Sequence, residues 1–147
     1  MSGAQYRLTG RINVALPPIE AFRLFTPRGE EQWAAGWRPR FPVPTDDGTT
    51  PGTVFETTSH GEVTTWVVID RERGRRIRYA RVTPTFRAGT VTISIEENTD
   101  RRSSVQVSYE LTALTAQGER QMSEFAAAYP DFLKIWEDAI AARVTTR

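Results

Sequence analysis

The side chains in this chain that could do chemistry are mostly aromatic, and many lie in one short stretch. "EEQWAAGWRPRFPVP", residues 30–44, places Trp33 and Trp37 four apart, then Phe41, with Pro39, Pro42 and Pro44 around it. That much proline forbids a long helix or a central strand. The stretch therefore either plugs a core or forms the wall of a hole. Trp33 and Trp37 share a face if a helical turn persists that far, and one or both then line a pocket. The prolines stiffen the segment, which suits a fixed wall better than a lid. A second group is "RRIRYAR" at 75–81. Arg76 and Arg78 face water, which turns Ile77, Tyr79 and Arg81 inward. A charge on an inward face needs a partner, either an internal acid or a ligand carboxylate, unless Arg81 simply reaches the solvent edge of its strand. Tyr79, Arg81 and Glu56 are the polar groups that an apolar pocket could tune for proton transfer or cyclisation.

Other chemistries fare poorly. The chain has no cysteine, which removes disulfides, thiolate catalysis and cysteine–zinc sites. His60 is the only histidine and sits in the turn-like "TTSHGEV". A nucleophile–histidine–acid triad would have to use it. "TDDG" is too short for a calcium loop, and neither a glycine-rich dinucleotide motif nor a phosphate loop is present, so no metal and no cofactor is expected. "DRERGRRIRYAR" is rich in arginine but contains Asp70 and Glu72 and has no wider basic face, so no nucleic acid is expected as a partner. The net charge of +1 draws the molecule toward neither nucleic acid nor membrane. The apolar runs fall far short of the roughly 20 residues that span a bilayer, and "MSGAQYRLTGR" has no apolar signal-peptide core. The expected location is the cytoplasm, without membrane insertion.

These groups must be positioned by a chain of 147 residues, which fits one domain over 1–147. Residues 5–15 alternate, with Tyr6, Leu8, Ile12 and Val14 on one face, and read as a half-buried strand. Pro17 and Pro18 suit a helix start, with Ile19, Phe22 and Phe25 at helical spacing. Thr26-Pro27 ends that helix or caps a second short one near 28–35. After the loop residues 46–52, strand-like runs occupy 53–59, 62–70, 75–83, 87–97 and 103–114, joined by short turns. Such links make antiparallel neighbours. In 62–70, Trp66 and Val68 compete with Val63, Thr65, Val67 and Ile69 as the inward set, and the sequence leaves that register open. From about 116 to 143 the period becomes helical, with Met122, Phe125, Ala126, Tyr129, Leu133, Trp136 and Ile140 as one stripe. Pro130 should kink this helix near Ala126.

Strand, two short helices, five meandering strands and one long helix make an α+β domain. This order resembles the START/Bet v 1-like (SRPBCC) superfamily, and within it the bacterial polyketide cyclase/dehydrase-like group. The resemblance is carried by "LPPIEAFRLF" at 16–25, "EEQWAAGWRP" at 30–39, "PGTVFET" at 51–57, "TWVVID" at 65–70 and "YELTALTAQGE" at 109–119. It covers nearly the whole chain. It implies a helix-grip fold, a six-stranded, strongly twisted antiparallel sheet wrapped around the C-terminal helix, with a cavity between them. Residues 30–44 would then cross the cavity mouth. The expected ligand is a small apolar or aromatic molecule, lipid- or polyketide-like. Trp33, Trp37, Phe55, Trp66, Tyr79, Arg81, Phe125 and Tyr129 are the expected ligand-binding residues, Tyr129 offering a hydroxyl. The protein would be a monomer or homodimer. Two alternatives use the same fold: a cyclase- or dehydratase-like enzyme, and an interaction module similar to the Hsp90-activator relatives. An open cavity with converging polar groups favours the enzyme. One lined only by apolar groups favours a carrier, and a filled core with an exposed apolar patch favours the module.

Overall fold

The computed structural model describes residues 4–98 and 101–145. Strand β1 (Gln5–Val14) is followed by α1 (Pro18–Leu24) and a 3-10 turn (Gly29–Gln32). Then come β2 (Val54–Ser59), β3 (Glu62–Glu72), β4 (Arg76–Thr83), β5 (Arg87–Glu97), β6 (Ser103–Ala113) and the long helix α2 (Ala116–Thr145). The six strands form one antiparallel sheet in the order β1-β6-β5-β4-β3-β2. This is the meander that the short turns require, with β1 returning beside β6. The element order, the sheet and the long helix are those of a helix-grip α+β fold.

Local chemistry sets the element ends. Thr26 serves both short helical segments: its Oγ1 donates to the Arg23 carbonyl at 2.9 Å and accepts from the Gly29 amide at 2.9 Å. The second segment is a four-residue 3-10 turn, shorter than the helix expected over 28–35. The β2–β3 hairpin turns on His60 and Gly61, with φ of 52° and 80°. Two successive left-handed residues match the twist of a two-residue hairpin, so His60 has a structural task at that turn.

In β3 the open register resolves. Thr64, Trp66 and Val68 are buried, while Val63 and Ile69 are exposed. A register shift between Val68 and Asp70 then lets the charged end of the strand turn toward water. The α2 stripe buries Met122, Tyr129, Leu133 and Ile140 against the sheet. Close approach is possible because β1 carries Gly10 there: a Cβ at that position would lie 2.4 Å from Leu133 Cδ1. Pro130 lies within α2, and the helix is assigned without a break across it.

Candidate functional site

The aromatic side chains fall into two groups of touching rings. On the β2–β4 side, Trp37 meets Phe55 and Trp66 edge-on, and both of these meet Tyr79. On the helix side, Tyr109, Phe125, Tyr129, Phe132 and Trp136 form a chain that ends on Trp33 and Phe25. Between the two groups lies a cavity of about 590 Å³, open to solvent, with Trp37, Trp66, Tyr79, Phe125, Phe132 and Trp136 in its walls. Its mouth is bordered by Ala34–Trp37, the Ser59–His60 turn, and Gln121 and Glu124 of α2.

Residues 30–44 thus supply one tryptophan to each group of rings, but only Trp37 to the cavity wall. No helical turn persists: Trp33 has φ of −139° and Gly36 has φ of 74°, so the two indoles face apart. Trp33 is buried, donates Nε1–H to the Leu24 carbonyl at 2.7 Å, and packs on Phe25 and Trp136 outside the cavity lining. Trp37 is half-buried, lines the cavity, and donates to the Pro27 carbonyl at 2.8 Å. Beyond it, Arg40 forms a bridge with Glu56 on the β2 edge, through both backbones and through an ion pair between the side chains. That pairing covers an otherwise open edge. It also places Glu56 outside the cavity lining, away from the polar role expected of it.

The remaining expected residues divide in the same way. Trp66, Tyr79, Arg81 and Phe125 line the cavity; Phe55 and Tyr129 do not. Phe55 is fully buried beneath Trp66. The Tyr129 hydroxyl is spent on the Val107 carbonyl of the sheet at 2.6 Å, so it does not reach into the cavity. Tyr79 likewise donates its hydroxyl to the Phe25 carbonyl at 3.1 Å and presents only its ring.

Register arranges the inner face of the sheet in rows. Phe55, Trp66, Arg81, Gly89 and Leu111 are cross-strand partners in sequence from β2 to β6. Trp66 is sandwiched: Phe55 stacks parallel at 5.7 Å on one side, and the Arg81 guanidinium lies 4.7 Å from its ring centroid on the other. Next in the row Gly89 contributes no side chain. A Cβ there would meet the Glu110 carbonyl oxygen at 2.0 Å, so the close β5–β6 backbone contact needs glycine. Toward the mouth runs a polar row. Thr64 and Thr83 share a 2.6 Å hydrogen bond, and Thr83 Oγ1 accepts from Arg81 at 3.2 Å and Arg87 at 3.4 Å. Arg87 also binds Glu62 and Gln121, and Gln121 donates to Glu62 at 3.0 Å. Toward the interior, Val68, Tyr79, Val91 and Tyr109 form the next row.

Four polar groups in this cavity are perturbed by burial, among them the Tyr79 phenol, which burial raises well above its ordinary value. Burial lowers the Arg81 guanidinium to about 10, partly offset by Tyr109. Burial raises the Tyr109 phenol, which therefore keeps its proton. Burial also pushes the Glu30 carboxyl well above the usual carboxylate range. Glu30 and Tyr109 are residues that sequence reading passed over. Glu30 looks like an ordinary surface acid in "GEEQ", and only the 3-10 turn, which exposes Glu31 and buries Glu30, distinguishes the two. Tyr109 was legible as an inward position of its strand by parity alone.

No family model matches the chain, and no curated protein matches it by sequence. Solved structures do match in shape. Protein MLL2253 from Mesorhizobium loti superposes with a TM-score of 0.68 at 17% identity, over 93% of this chain and 98% of that one. Ara h 8.0201, of the Bet v 1 type, gives a TM-score of 0.66 at 12% identity over 97% and 99%. DynU16, from the dynemicin biosynthetic locus, gives 0.61 at 17% identity; the match covers 90% of this chain but only 46% of DynU16. The chain shares the fold of these proteins, a Bet v 1-like helix grip.

Proposed function

We propose that this protein binds a small aromatic or apolar molecule in the cavity between the sheet and α2. The observation that carries this reading is the open cavity of about 590 Å³ between two aromatic walls. Its size falls in the range of small-molecule sites, and its mixed lining of rings and a few polar groups is typical of them. The open cavity also weighs against an interaction module with a filled core. The test is native mass spectrometry of freshly purified protein, with extraction of any passenger. A stoichiometric aromatic or apolar compound supports the reading. A clean apo mass together with failure to bind any aromatic probe overturns it.

A catalytic version of this reading has one specific observation in its favour. Glu30 lines the cavity, and burial keeps its carboxyl inclined to the protonated form. A protonated carboxyl in an apolar pocket is a general acid, suited to protonating a leaving hydroxyl in a dehydration or cyclisation. If so, Glu30→Gln abolishes turnover of the extracted compound while leaving its binding intact. Equal turnover in both proteins removes Glu30 from the chemistry.

A further inference from the structure

The two arginines of the cavity are not equivalent. Arg87 has a counter-ion: its Nη2 reaches Glu62 Oε1 at 3.5 Å, and Gln121 takes the other Glu62 oxygen at 3.0 Å. Glu62 is the acid whose charge reaches Arg81, and both its oxygens are already engaged. Among the described residues Arg81 forms no ion pair. Its Nη2 donates only to a threonine hydroxyl, and its Nε is sealed from solvent with no hydrogen-bond partner. Such a buried donor on a charged group is costly and calls for an acceptor. Glu30 does not supply one: among the described residues no ion pair joins it to Arg81, and burial inclines its carboxyl to the neutral form.

The surroundings hold Arg81 in place. The guanidinium lies over the Trp66 ring, which is itself backed by Phe55 and fixed by its Nε1–H bond to Thr57 at 2.9 Å. Both faces of Trp66 are thus occupied, so Trp66 acts as the platform for Arg81 and offers a ligand only its edge. Gly89, the cross-strand partner of Arg81 on β5, places no side chain beside the arginine. Tyr109 couples to it electrostatically from the neighbouring row.

We propose that the natural occupant of the cavity is an aromatic or alkyl carboxylate, its anionic group held by Arg81 with the Tyr109 hydroxyl as a second donor, and its apolar body lying toward Ile93, Phe132 and Trp136. This rests on the binding reading above and narrows it from any apolar molecule to a monoanionic one. A charge-assisted bond made in a partly dry site is worth about tenfold or more in affinity.

The test is calorimetric titration of the full chain with 2-naphthoate, with its neutral methyl ester and with 2-naphthylmethylammonium. The expected order is acid at least tenfold tighter than ester, and the cation weakest. Arg81→Met should bring the acid to the affinity of the ester while leaving the ester within about twofold. It should also melt no lower than the parent, because it removes a buried unpaired charge. Arg81→Lys should restore part of the preference. Equal binding of acid and ester by the parent, or a preference that survives in Arg81→Met, overturns the anion site and leaves the cavity reading standing. No binding of any of the three at millimolar concentration overturns both.

Discussion

Replacing Trp33 by alanine should cost about 3–5 kcal/mol, the range for removing a large buried aromatic side chain. The indole is only 8% exposed, sits 5.7 Å from Phe25 and 5.2 Å from Trp136 between centroids, and gives its N–H to Leu24. Truncation opens a closed void and removes the donor from a backbone carbonyl. Trp37 differs because one side already faces an open cavity. Its loss forfeits the bond to Pro27 and the edge contacts with Phe55 and Trp66 but creates no new closed void. The cost should be about 1.5–2.5 kcal/mol. For a chain of this length, at about 2–4 °C per kcal/mol, Trp33→Ala should lower Tm by about 10 °C or more and Trp37→Ala by about 5 °C. Far-UV circular dichroism in urea and heat is the right assay, since both variants delete part of the tryptophan fluorescence. Titration with 2-naphthoate should show weakened binding in Trp37→Ala and near-parental binding in the folded fraction of Trp33→Ala. If Trp37→Ala is as destabilising as Trp33→Ala and binding is unchanged, Trp37 is a plug and the assignment of walls is wrong.

Three further outcomes follow from the same geometry. A carboxyl whose folded pKa lies above its ordinary value of 4.5 stabilises the fold in its protonated form, and that contribution is lost as pH climbs from 4.5 through the folded value. The Tm advantage of Glu30→Gln over the parent should therefore widen across that climb; the neighbouring Tyr79 and Tyr109 hydroxyls, both raised by burial, titrate above this window. A pH-independent difference would contradict the buried, unpaired carboxyl. Gly89→Ala forces a Cβ against the Glu110 carbonyl in the β5–β6 pair and should cost about 1–3 kcal/mol in urea denaturation; a neutral result would mean the strands part freely there. Tyr129→Phe removes one hydrogen bond to Val107 and should cost about 1 kcal/mol without altering ligand affinity, since the hydroxyl is outside the cavity; a change in affinity would place it inside.

The fold could be read because period carries it. The alternation in β5 and β6, the short turns and the long apolar stripe each pointed to the sheet and helix now seen, and the inward parity of Ile77, Tyr79 and Arg81 in β4 followed from their arginine neighbours. The site was less legible because parity gives a side, not a partner. Phe55 and Trp66 point to the same face, yet only Trp66 reaches the cavity, because the ladder stacks one ring on the other. Tyr79 and Tyr129 have inward hydroxyls, and backbone carbonyls distant in sequence consume both. Trp33 and Trp37 separate because the backbone leaves helical geometry at Trp33 and turns left-handed at Gly36, which a four-residue spacing cannot reveal. Glu30 was hidden for a related reason, since adjacent acids in a short 3-10 turn have opposite fates and nothing in "EE" separates them.

The arrangement around Arg81 is costly for a fold that only needs to be stable. A methionine or leucine in that row would pack beside Trp66 without an unpartnered donor, and replacing buried charge by apolar volume is often neutral or stabilising. Instead the sheet places an arginine there, sets it over a stacked Phe55–Trp66 platform, puts no side chain beside it at Gly89, and assigns the available acid, Glu62, to a different arginine. Each feature taken alone has a structural explanation; Gly89, for example, is required by the close β5–β6 backbone. Together they leave a rigidly held cation facing a void, an arrangement that becomes favourable only when an anion enters. The stability of Arg81→Met and its loss of carboxylate preference are therefore two halves of one argument. A variant that folds better and binds the acid less would show that the arginine is kept for the ligand, whereas one that folds worse would show that it serves the threonine network after all.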